Sequence, residues 1–266
     1  MPQQKTLYLI DVSSFIYRAF FAIRRLHSRK GEPTNAVYGV ANMLSRLWDE
    51  AKPQYAAVVF DSREPSFRKQ EYHAYKANRS SPPEDLIPQF SRIEQLVAGL
   101  EIPSFRKSGF EADDLIATLA LKWRDAAPEN QVVVVSGDKD LMQIVGERIT
   151  MWDTMTDKHY GPREVNEKLG VEPGQVRDYL ALVGDSSDNI PGVSGIGPKS
   201  AVELLKEFGN LENILSAARD GSVSGKKCDL LLKHAAEAEI SKKLATVLVD
   251  IPVEVGPELL HYEFHM

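Results

Sequence analysis

Cysteine is nearly absent from this chain of 266 residues, in which Cys228 is the only one. This scarcity excludes an internal disulfide and a cysteine-rich zinc site, and it predicts a reducing, cytoplasmic environment. Long apolar runs are missing as well: none approaches 18 residues, so we expect no membrane-spanning segment. The N-terminus lacks a basic stretch followed by an apolar core and a cleavage site, so we expect no secretory signal.

The chain is also short of positive charge as a whole, with 32 basic and 38 acidic residues and a net charge of −6. Local basic patches can nevertheless bind a phosphate backbone despite an acidic total. One patch contains Arg24, Arg25, Arg29 and Lys30, and another contains Arg63, Arg68, Lys69, Lys76 and Arg79. Because a charge run is equally typical of a solvated surface, the patches alone leave DNA binding open.

What the sequence does contain is acidic residues in short bursts, three of which follow strand-like runs at 6–10, 56–60 and 131–135. The carboxyl ends of parallel strands line one crevice, so these side chains should converge there. Converging carboxylates repel one another, and hard divalent cations with oxygen ligands are the partners that suit them best. The predicted metal ligands are Asp11, Asp61, Glu111, Asp113, Asp114, Asp138, Asp140, Asp185 and Asp188.

Apolar periodicity alternates between strand and helix in the first part of the chain. Strands are predicted at 6–10, 56–60, 131–135 and 149–152, and helices at 14–23, 36–50, 88–100, from 111, at 179–183 and at 201–208. Ser13 or Ser14 is the predicted cap of the first helix. The alternation predicts an α/β fold with a mainly parallel, twisted sheet and helices on both faces. Strand signals fade after about residue 165, so we expect a catalytic domain at 1–165 and a helical region at 166–266.

Each acidic residue on its own also has an ordinary structural explanation. Asp11 and Asp61 can cap helices or form turns directly after their strands, and for either alone this is the better explanation. Glu111, Asp113 and Asp114 can stabilise the positive end of a helix dipole, although three acids within four positions repel one another more than capping requires. The metal hypothesis therefore depends on all the clusters together. Two divalent ions about 4 Å apart would suit them and would promote displacement at phosphorus.

A glycine-rich segment from Gly192 to Ser200 superficially resembles a phosphate-binding P-loop. It fails as one because Pro198 separates glycine from lysine and no strand precedes it. We interpret 190–199 as the turn of a helix-hairpin-helix, whose amides can bind DNA phosphates without reading sequence. The predicted DNA contacts are Gly195, Gly197, Lys199 and Ser200, and the carbonyls of Val193 and Ile196 are candidates for a monovalent cation such as K⁺. A plain helix–helix turn is the alternative.

Six motifs in order along the chain carry a family resemblance. They are Ile10-Asp11-Val-Ser-Ser, Val59-Phe60-Asp61, Tyr75-Lys76-Ala-Asn-Arg79, Gly109-Phe-Glu111-Ala-Asp113-Asp114, Ser136-Gly-Asp138-Lys-Asp140 and Gly184-Asp185-Ser-Ser-Asp188-Asn-Ile-Pro-Gly-Val. From Leu7 to about Leu260 the chain resembles the 5′-nuclease domain at the N-terminus of bacterial DNA polymerase I, a relative of flap endonucleases. No polymerase or proofreading region follows the motifs, so we expect either a stand-alone nuclease or an excised domain.

The resemblance implies a PIN-like nuclease core, a helical arch at about 62–85 that a 5′ single strand passes, and a C-terminal helix-hairpin-helix (H3TH) region that grips duplex DNA. It implies two divalent ions, Mg²⁺ or Mn²⁺. The acids of the first strands and of 111–114 would hold mainly one, and those of 138–140 and 185–188 mainly the other.

The resemblance also implies roles for basic and aromatic residues. Arg68, Lys76 and Arg79 would clamp phosphates, and Lys76 would also stabilise charge on the phosphate in the transition state. Tyr17 would stack on a base near the scissile phosphate, although core packing beside Phe20 and Phe21 is the alternative for it. Further implied DNA contacts are Arg24 and Tyr75.

The implied activity is structure-specific hydrolysis of DNA phosphodiesters at 5′ flaps and junctions, with 5′→3′ exonuclease action, in replication and repair. We expect DNA with 5′ single-strand/duplex junctions as partner, RNA–DNA 5′ ends as a further substrate, and a polymerase domain or partner. We also expect a monomer near the nucleoid of a bacterial or phage-like system. Another Mg²⁺ enzyme on the same kind of sheet, such as a ribonuclease or small phosphatase, is the first alternative. Asp11-Val-Ser does not fit the Asp-x-Asp of an aspartyl-phosphate phosphatase, and the hairpin and the basic segment favour a long duplex substrate over a small one. A junction binder without catalysis is the second, disfavoured by the complete acidic set.

Overall fold

The core of the computed structural model, which describes residues 4–262, is a six-stranded sheet. Its strands are β1 Lys5–Asp11, β2 Tyr55–Val59, β3 Ser104–Phe105, β4 Asn130–Val135, β5 Ile149–Asp153 and β6 Lys158–Tyr160. The order across the sheet is β3-β2-β1-β4-β5-β6, and all neighbouring pairs are parallel except β5 with β6. The strand order reverses between β1 and β4, and the carboxyl ends of strands at such a switch point commonly bind ligands.

Helices cover both faces of the sheet. They are α1 Val12–Ala22, α2 Asn35–Ala51, α3 Phe67–Glu71, α4 Ile87–Gly99, α5 Ala112–Ala126, α6 Pro162–Leu169, α7 Val176–Val183, α8 Pro198–Phe208, α9 Leu211–Asp220, α10 Lys226–Lys233, α11 Ala235–Ala245 and α12 Pro257–Leu260. Residues 1–3 and 263–266, the outermost parts of the two predicted domains, lie outside the described residues. Within residues 4–262, no helix combines the length and the apolar composition that crossing a membrane would need.

Each central strand is buried on both faces, which explains why its sequence is a continuous apolar run. In β1, Leu7 and Leu9 pack into the core under α5 and the C-terminal helices, whereas Tyr8 and Ile10 face the core formed with α1, α2 and α4. Strand β4 alternates in the same way. The predicted α/β class, with a mainly parallel sheet between helices and a helical C-terminal region, is confirmed.

The glycine-rich turn between α7 and α8 depends on close backbone approach. Gly184 and Gly192 have φ angles of 74° and 64°. A Cβ atom on Gly192 would lie only 2.3 Å from the amide nitrogen of Gly184. The turn is also tied to its surroundings, since the Gly192 amide donates to Ser241 Oγ at 2.9 Å. This packing fixes the loop that carries Asp185 and Asp188 relative to α7.

Gly192→Ala is expected to destabilise the protein by more than about 1–2 kcal/mol, because a left-handed φ and a backbone clash both oppose a Cβ atom. The measurement is the midpoint of urea unfolding. Gly99→Ala is the matched control, because Gly99 ends α4 with open space around its Cα and should tolerate alanine. Equal midpoints for the two variants would contradict the packing argument.

Several elements differ from the sequence-based expectations. The pattern missed β3 and β6, because β3 has two residues and β6 is a short, polar edge strand. It also predicted Ser13 or Ser14 as the cap of α1, which is wrong: Asp11 is the cap, and its Oδ1 accepts from the Ser14 amide at 3.1 Å. Within 62–85, the structure has the short helix α3 followed by turns.

Candidate active site

The carboxyl ends of three neighbouring strands meet at one cavity of about 590 Å³, here called the central cavity. Asp11 is the last residue of β1, Asp61 follows β2, and Asp138 follows β4. The central cavity is lined by these three carboxylates together with Asp113, Tyr17 and Lys76, among others. The strand order β2-β1-β4 is what brings side chains so distant in sequence to one wall.

Helix α5 adds further carboxylates from its N-terminus. Glu111 is the cap of the helix, and Asp113 lies in its first turn. The Ala112 amide donates to Asp61 Oδ1 at 2.9 Å, which joins the start of α5 to the end of β2. The positive end of the α5 dipole therefore points at the acidic wall, where it favours negative charge.

Mutual repulsion is strong among the carboxylates of the central cavity. Burial and the charges of Asp61 and Asp138 raise the pKa of Asp11 to about 6. Burial and the neighbouring Asp138 and Asp11 raise the pKa of Asp113 well above its usual range. Ser136 Oγ donates to Asp11 Oδ2 at 2.7 Å and offsets part of this cost. Such a group of carboxylates calls for a positive partner at neutral pH.

A second acidic group lies beside the first. Asp140, Asp185 and Asp188 each place one carboxylate oxygen within 4.8 Å of the others. Burial and the charges of Asp138 and Asp188 raise the pKa of Asp140 well above its usual range. Among the described residues, Asp140 Oδ1 is one of the buried polar atoms that have no hydrogen-bond partner. An unpaired, buried carboxylate oxygen among other carboxylates is the environment expected of a cation ligand.

The donor set fits divalent metal ions. Both acidic groups consist of carboxylate oxygens, which are the ligands that hard cations such as Mg²⁺ and Mn²⁺ prefer. The two groups are also adjacent, because the charges of Asp185 and Asp188 act on the pKa of Asp138 at the wall of the central cavity. The two groups therefore form one adjoining set of carboxylates whose donor atoms suit divalent cations.

Lys76 lies between the two acidic groups. Its Nζ donates to Glu111 Oε2 at 2.9 Å and is 3.5 Å from Asp188 Oδ2. Burial would lower the pKa of Lys76, but the charges of Glu111 and Asp188 outweigh it and raise the pKa. Lys76 is therefore a protonated cation across the neutral range. Its backbone has a left-handed φ of 52°, stabilised where its amide donates to the Asp188 carbonyl at 2.9 Å.

The segment around Lys76 is joined to the loop at 185–189 by several hydrogen bonds. Arg79 pairs with Asp188, Asn78 Nδ2 donates to the Ser186 carbonyl at 2.6 Å, and Asn189 Nδ2 donates to the Ala74 carbonyl at 2.6 Å. These contacts connect the base of the predicted arch to the start of the helix-hairpin-helix.

Tyr17 lies at the wall of the central cavity with 41% of its surface exposed. Its ring packs edge to face against Phe90, with ring centroids 6.1 Å apart. The alternative of full core packing is therefore wrong for Tyr17, which is partly exposed at the cavity wall.

Two of the predicted site residues have a different role in the structure. Arg68 is 2% exposed and forms a bidentate pair with Asp114, at 2.6 Å and 2.7 Å. Asp114 is fully buried and also accepts from the Leu248 amide at 2.8 Å. The prediction that Arg68 clamps DNA phosphates is wrong because burial hides its guanidinium. The prediction that Asp114 binds metal is also corrected, because Asp114 is buried and both of its carboxylate oxygens accept hydrogen bonds from Arg68.

Tyr75 requires the same correction as a DNA contact. It is 3% exposed, and its hydroxyl lies 3.0 Å from both Glu111 Oε2 and Asp188 Oδ2. Its ring is buried in the core, so it cannot stack on DNA. Instead, Tyr75 holds two carboxylates of the site in place.

The remaining predicted DNA contacts lie where DNA could reach them. Arg24 and Lys199 are exposed, as are Gly195 and Gly197, and Ser200 is partly exposed on the first turn of α8. The carbonyls of Val193 and Ile196 belong to the same turn, in which the Ile196 amide donates to the Val193 carbonyl. These DNA contacts and the monovalent cation stay predictions.

Sequence reasoning missed three residues that organise the site. Ser136 donates to Asp11, Ser66 Oγ donates to Glu111 Oε1 at 2.8 Å, and Lys139 Nζ lies 3.1 Å from Asp185 Oδ1. Lys139 stands between two predicted ligands, and Ser136 begins the same motif two residues before Asp138, so their position was the available signal. Ser66 lies in a segment with no periodicity, and nothing in the sequence around it pointed to Glu111.

Comparison with known families covers almost the whole chain. Residues 6–170 match the family model described as 5′-3′ exonuclease, N-terminal resolvase-like domain, and residues 171–265 match 5′-3′ exonuclease, C-terminal SAM fold. The change of family model at residue 171 falls at the short loop between α6 and the helical region.

Two curated relatives differ greatly in length. A DNA polymerase I of Rhizobium leguminosarum is 42% identical over 271 residues, covering 99% of this chain but 26% of the relative. A 5′-3′ exonuclease of Aquifex aeolicus (strain VF5) is 41% identical over 257 residues, covering 96% of this chain and 86% of the relative. The chain thus spans about a quarter of the first relative and most of the second.

A solved structure shares the fold. It is a bacteriophage T5 flap endonuclease in a pseudo-enzyme–product complex with DNA and metal ions. The two chains superpose with a TM-score of 0.74 at 23% identity, over 91% of this chain and 89% of that one.

Proposed function

This chain belongs to the 5′-3′ exonuclease family, as its motifs predicted, and we propose that it is a divalent-metal-dependent, structure-specific 5′ nuclease acting on DNA. The observation that carries the proposal is the convergence of two carboxylate groups, with Lys76 between them, at the switch point of the sheet. The combination suits cleavage of a phosphodiester, because cations can stabilise both the attacking and the leaving oxygen.

The proposed metal ligands come from both acidic groups, with Mg²⁺ or Mn²⁺ as the ions. They are Asp11, Asp61, Glu111, Asp113, Asp138, Asp140, Asp185 and Asp188. When bound, two such ions supply a water of lowered pKa and stabilise the attacking and leaving oxygens of an in-line displacement. The neighbouring hydroxyls of Ser136 and Tyr75 hold ligand carboxylates in fixed orientations.

Lys76, Arg79 and Tyr17 are proposed to act on the substrate directly. Lys76 is cationic and faces the central cavity, so it can place positive charge on the scissile phosphate as negative charge develops there. Arg79 has about half of its side chain exposed and can bind a neighbouring phosphate while it stays near Asp188. The partly exposed ring of Tyr17 at the cavity wall is proposed to stack on a base of any sequence.

The substrate we propose is DNA with a junction between duplex and 5′ single strand, cut at the flap or degraded from the 5′ end. The H3TH turn would bind the duplex through Gly195, Gly197, Lys199 and Ser200, with K⁺ at the carbonyls of Val193 and Ile196, and Arg24 as a further contact. We extend the proposal to RNA–DNA 5′ ends, to action as a monomer in the cytoplasm, and to a replication or repair role beside a polymerase domain or partner. The DNA polymerase I relative supports the last point.

The test is cleavage of a 5′-labelled flap duplex in Mg²⁺, in Mn²⁺ and in EDTA, with the products mapped. Metal-dependent cleavage within a nucleotide or so of the junction is the expected result. Binding of the same duplex without cleavage in either metal would overturn the nuclease proposal and favour a junction-binding protein.

Lys76→Ala is expected to lower the single-turnover rate on a flap about 10²- to 10³-fold while changing DNA affinity far less, because Lys76 acts on developing charge. Rapid-quench cleavage and equilibrium binding measure the two quantities. Lys243→Ala is the matched control, since Lys243 pairs with Glu71 at 2.8 Å outside the central cavity. A Lys76→Ala rate equal to that of the control would remove Lys76 from the active site.

A further inference from the structure

Lys76 occupies a backbone position that is unfavourable for lysine. It is the third residue of the turn 74–77, which the Ala77 amide closes by donating to the Ala74 carbonyl at 3.0 Å. The φ angle of Lys76 in this turn is 52°. Such a left-handed conformation is usual for glycine or asparagine at this turn position and costs energy for a longer side chain. The turn therefore depends on contacts from other segments to keep Lys76 in this conformation.

Two consecutive residues of the loop at 185–189 supply such contacts. The Lys76 amide donates to the Asp188 carbonyl at 2.9 Å. Asn189 Nδ2 donates at 2.6 Å to the Ala74 carbonyl, which is the same carbonyl that closes the turn. Because a carbonyl oxygen only accepts, the amide nitrogen of Asn189 must be the atom that faces it. The turn is thus held through the backbone of Asp188 and through the side chain of Asn189.

The loop presents the Asn189 amide to the turn in a fixed direction. The φ angle of Asn189 is 56°, a left-handed conformation that asparagine adopts more readily than most residues. The residues on both sides of it are also fixed. Asp188 is buried and pairs with Arg79, and Ile190 exchanges two backbone hydrogen bonds with Asp185, at 2.8 Å and 2.9 Å.

The group whose position depends on this turn is the Lys76 ammonium. Its Nζ lies 2.9 Å from Glu111 Oε2 and 3.5 Å from Asp188 Oδ2, at the wall of the central cavity. A lysine side chain is long and flexible, so the direction of its backbone decides which groups its Nζ can reach. Small misplacements of a group that acts on the reacting atoms have large effects on rate.

We propose that Asn189 is a positioning residue for Lys76. Its hydrogen bond to the Ala74 carbonyl keeps the turn in the shape that directs the Lys76 ammonium toward the scissile phosphate. This inference rests on the proposed nuclease function, in which Lys76 acts on that phosphate. Asn189 itself does not touch the substrate, so its whole effect on the rate passes through Lys76, and the effects of the two residues are not additive.

Asn189→Gly tests the hydrogen bond without opposing the backbone, because glycine adopts a φ of 56° readily. We expect single-turnover cleavage of a flap in Mg²⁺ to slow about three- to tenfold. Flap affinity in EDTA should change less than about twofold. Glu101→Gly is the matched control, since Glu101 has the same φ of 56°, is exposed and does not line the central cavity. The control should cleave at the wild-type rate.

A double variant, Lys76→Ala with Asn189→Gly, distinguishes a role through Lys76 from a general loosening of the loop that carries Asp185 and Asp188. If Asn189 acts through Lys76, the loss caused by Asn189→Gly should shrink to less than about 1.5-fold in the Lys76→Ala background. An undiminished loss in that background would overturn the proposal. A wild-type rate in Asn189→Gly alone would overturn it as well.

A second measurement needs no nuclease activity. Acylation of lysine amines in metal-free protein, mapped by mass spectrometry, should modify Lys76 about two- to fivefold faster in Asn189→Gly than in wild type, because the turn opens more often. Lys243, which pairs with Glu71, should react equally in both proteins. Equal labelling of Lys76 would overturn the positioning role even if the enzyme cleaves flaps. A wild-type protein that cleaves no flap would overturn the proposed function, and with it the catalytic role of Lys76 and Asn189.

Discussion

Asp138→Asn is expected to lower single-turnover cleavage of a flap by about a thousandfold or more, while leaving DNA binding measurable. Asp138 faces Asp11 and Asp113 in the central cavity, and its pKa also responds to the charges of Asp185 and Asp188. Removing the charge of Asp138 is therefore expected to lower the affinity of both acidic groups for a divalent cation. A metal ion contributes several kcal/mol to transition-state stabilisation, and each 1.36 kcal/mol is about tenfold in rate.

The asparagine variant separates charge from local structure. Asp138 Oδ1 accepts from the Asp140 amide at 3.0 Å and so caps the 3-10 turn Lys139–Ile144. Asparagine keeps this acceptor, whereas Asp138→Ala removes both the cap and the charge. Asp157→Asn is the control, since Asp157 pairs with Arg46 away from the central cavity. A rate near wild type in Asp138→Asn would refute the assignment of Asp138 to the metal site.

Convergence of the carboxylates was predictable because it depends on strand order alone. Once residues 6–10, 56–60 and 131–135 form parallel neighbours, the residues after them must meet at one edge. Asp140, Asp185 and Asp188 followed from their motifs, and the structure places one oxygen of each close together. A single sequence therefore identifies the residues that follow each strand. The topology of the sheet then determines that their side chains lie at the same edge.

Side-chain partners across long sequence distances were not predictable. Arg68 stands in a basic, polar segment that looks like a DNA-binding surface, and Asp114 stands among metal-ligand candidates. They instead pair with each other and are covered by residues 244–248, here called the C-terminal strap. Folding brings this segment over the start of α5. Tyr75 was misjudged for the same reason: its hydroxyl finds Glu111 and Asp188 only after three separate segments have packed together.

The buried pair of Arg68 and Asp114 connects the start of α5, which carries part of the acidic site, with the chain at 244–248. Arg68 Nε donates to the Leu244 carbonyl and its second terminal nitrogen to the Thr246 carbonyl, each at 2.8 Å. Arg68 belongs to α3 at the base of the predicted arch, and Leu244 lies in the last turn of α11 in the C-terminal part of the chain. One buried guanidinium thus connects the arch base, the acidic start of α5 and the C-terminal strap.

Arg68→Ala is consequently expected to destabilise the protein by about 3–5 kcal/mol, since it leaves the Asp114 carboxylate buried without its cation. Two backbone carbonyls lose their donor as well. The free energy of unfolding, measured in urea with EDTA present, tests this without any contribution from bound metal. Arg163→Ala is the matched surface control, because Arg163 is 81% exposed beside Glu167 and should change stability by less than about 1 kcal/mol.

Replacing the Asp114 carboxylate by a neutral amide should restore part of the stability that Arg68→Ala loses. In Arg68→Ala combined with Asp114→Asn, the amide oxygen can still accept from the Leu248 amide, and no buried charge is left unpaired. The double variant is therefore expected to be more stable than Arg68→Ala alone, although each substitution removes part of the same buried pair. If the double variant were instead less stable by the sum of both single losses, the two residues would not form the coupled pair seen in the structure.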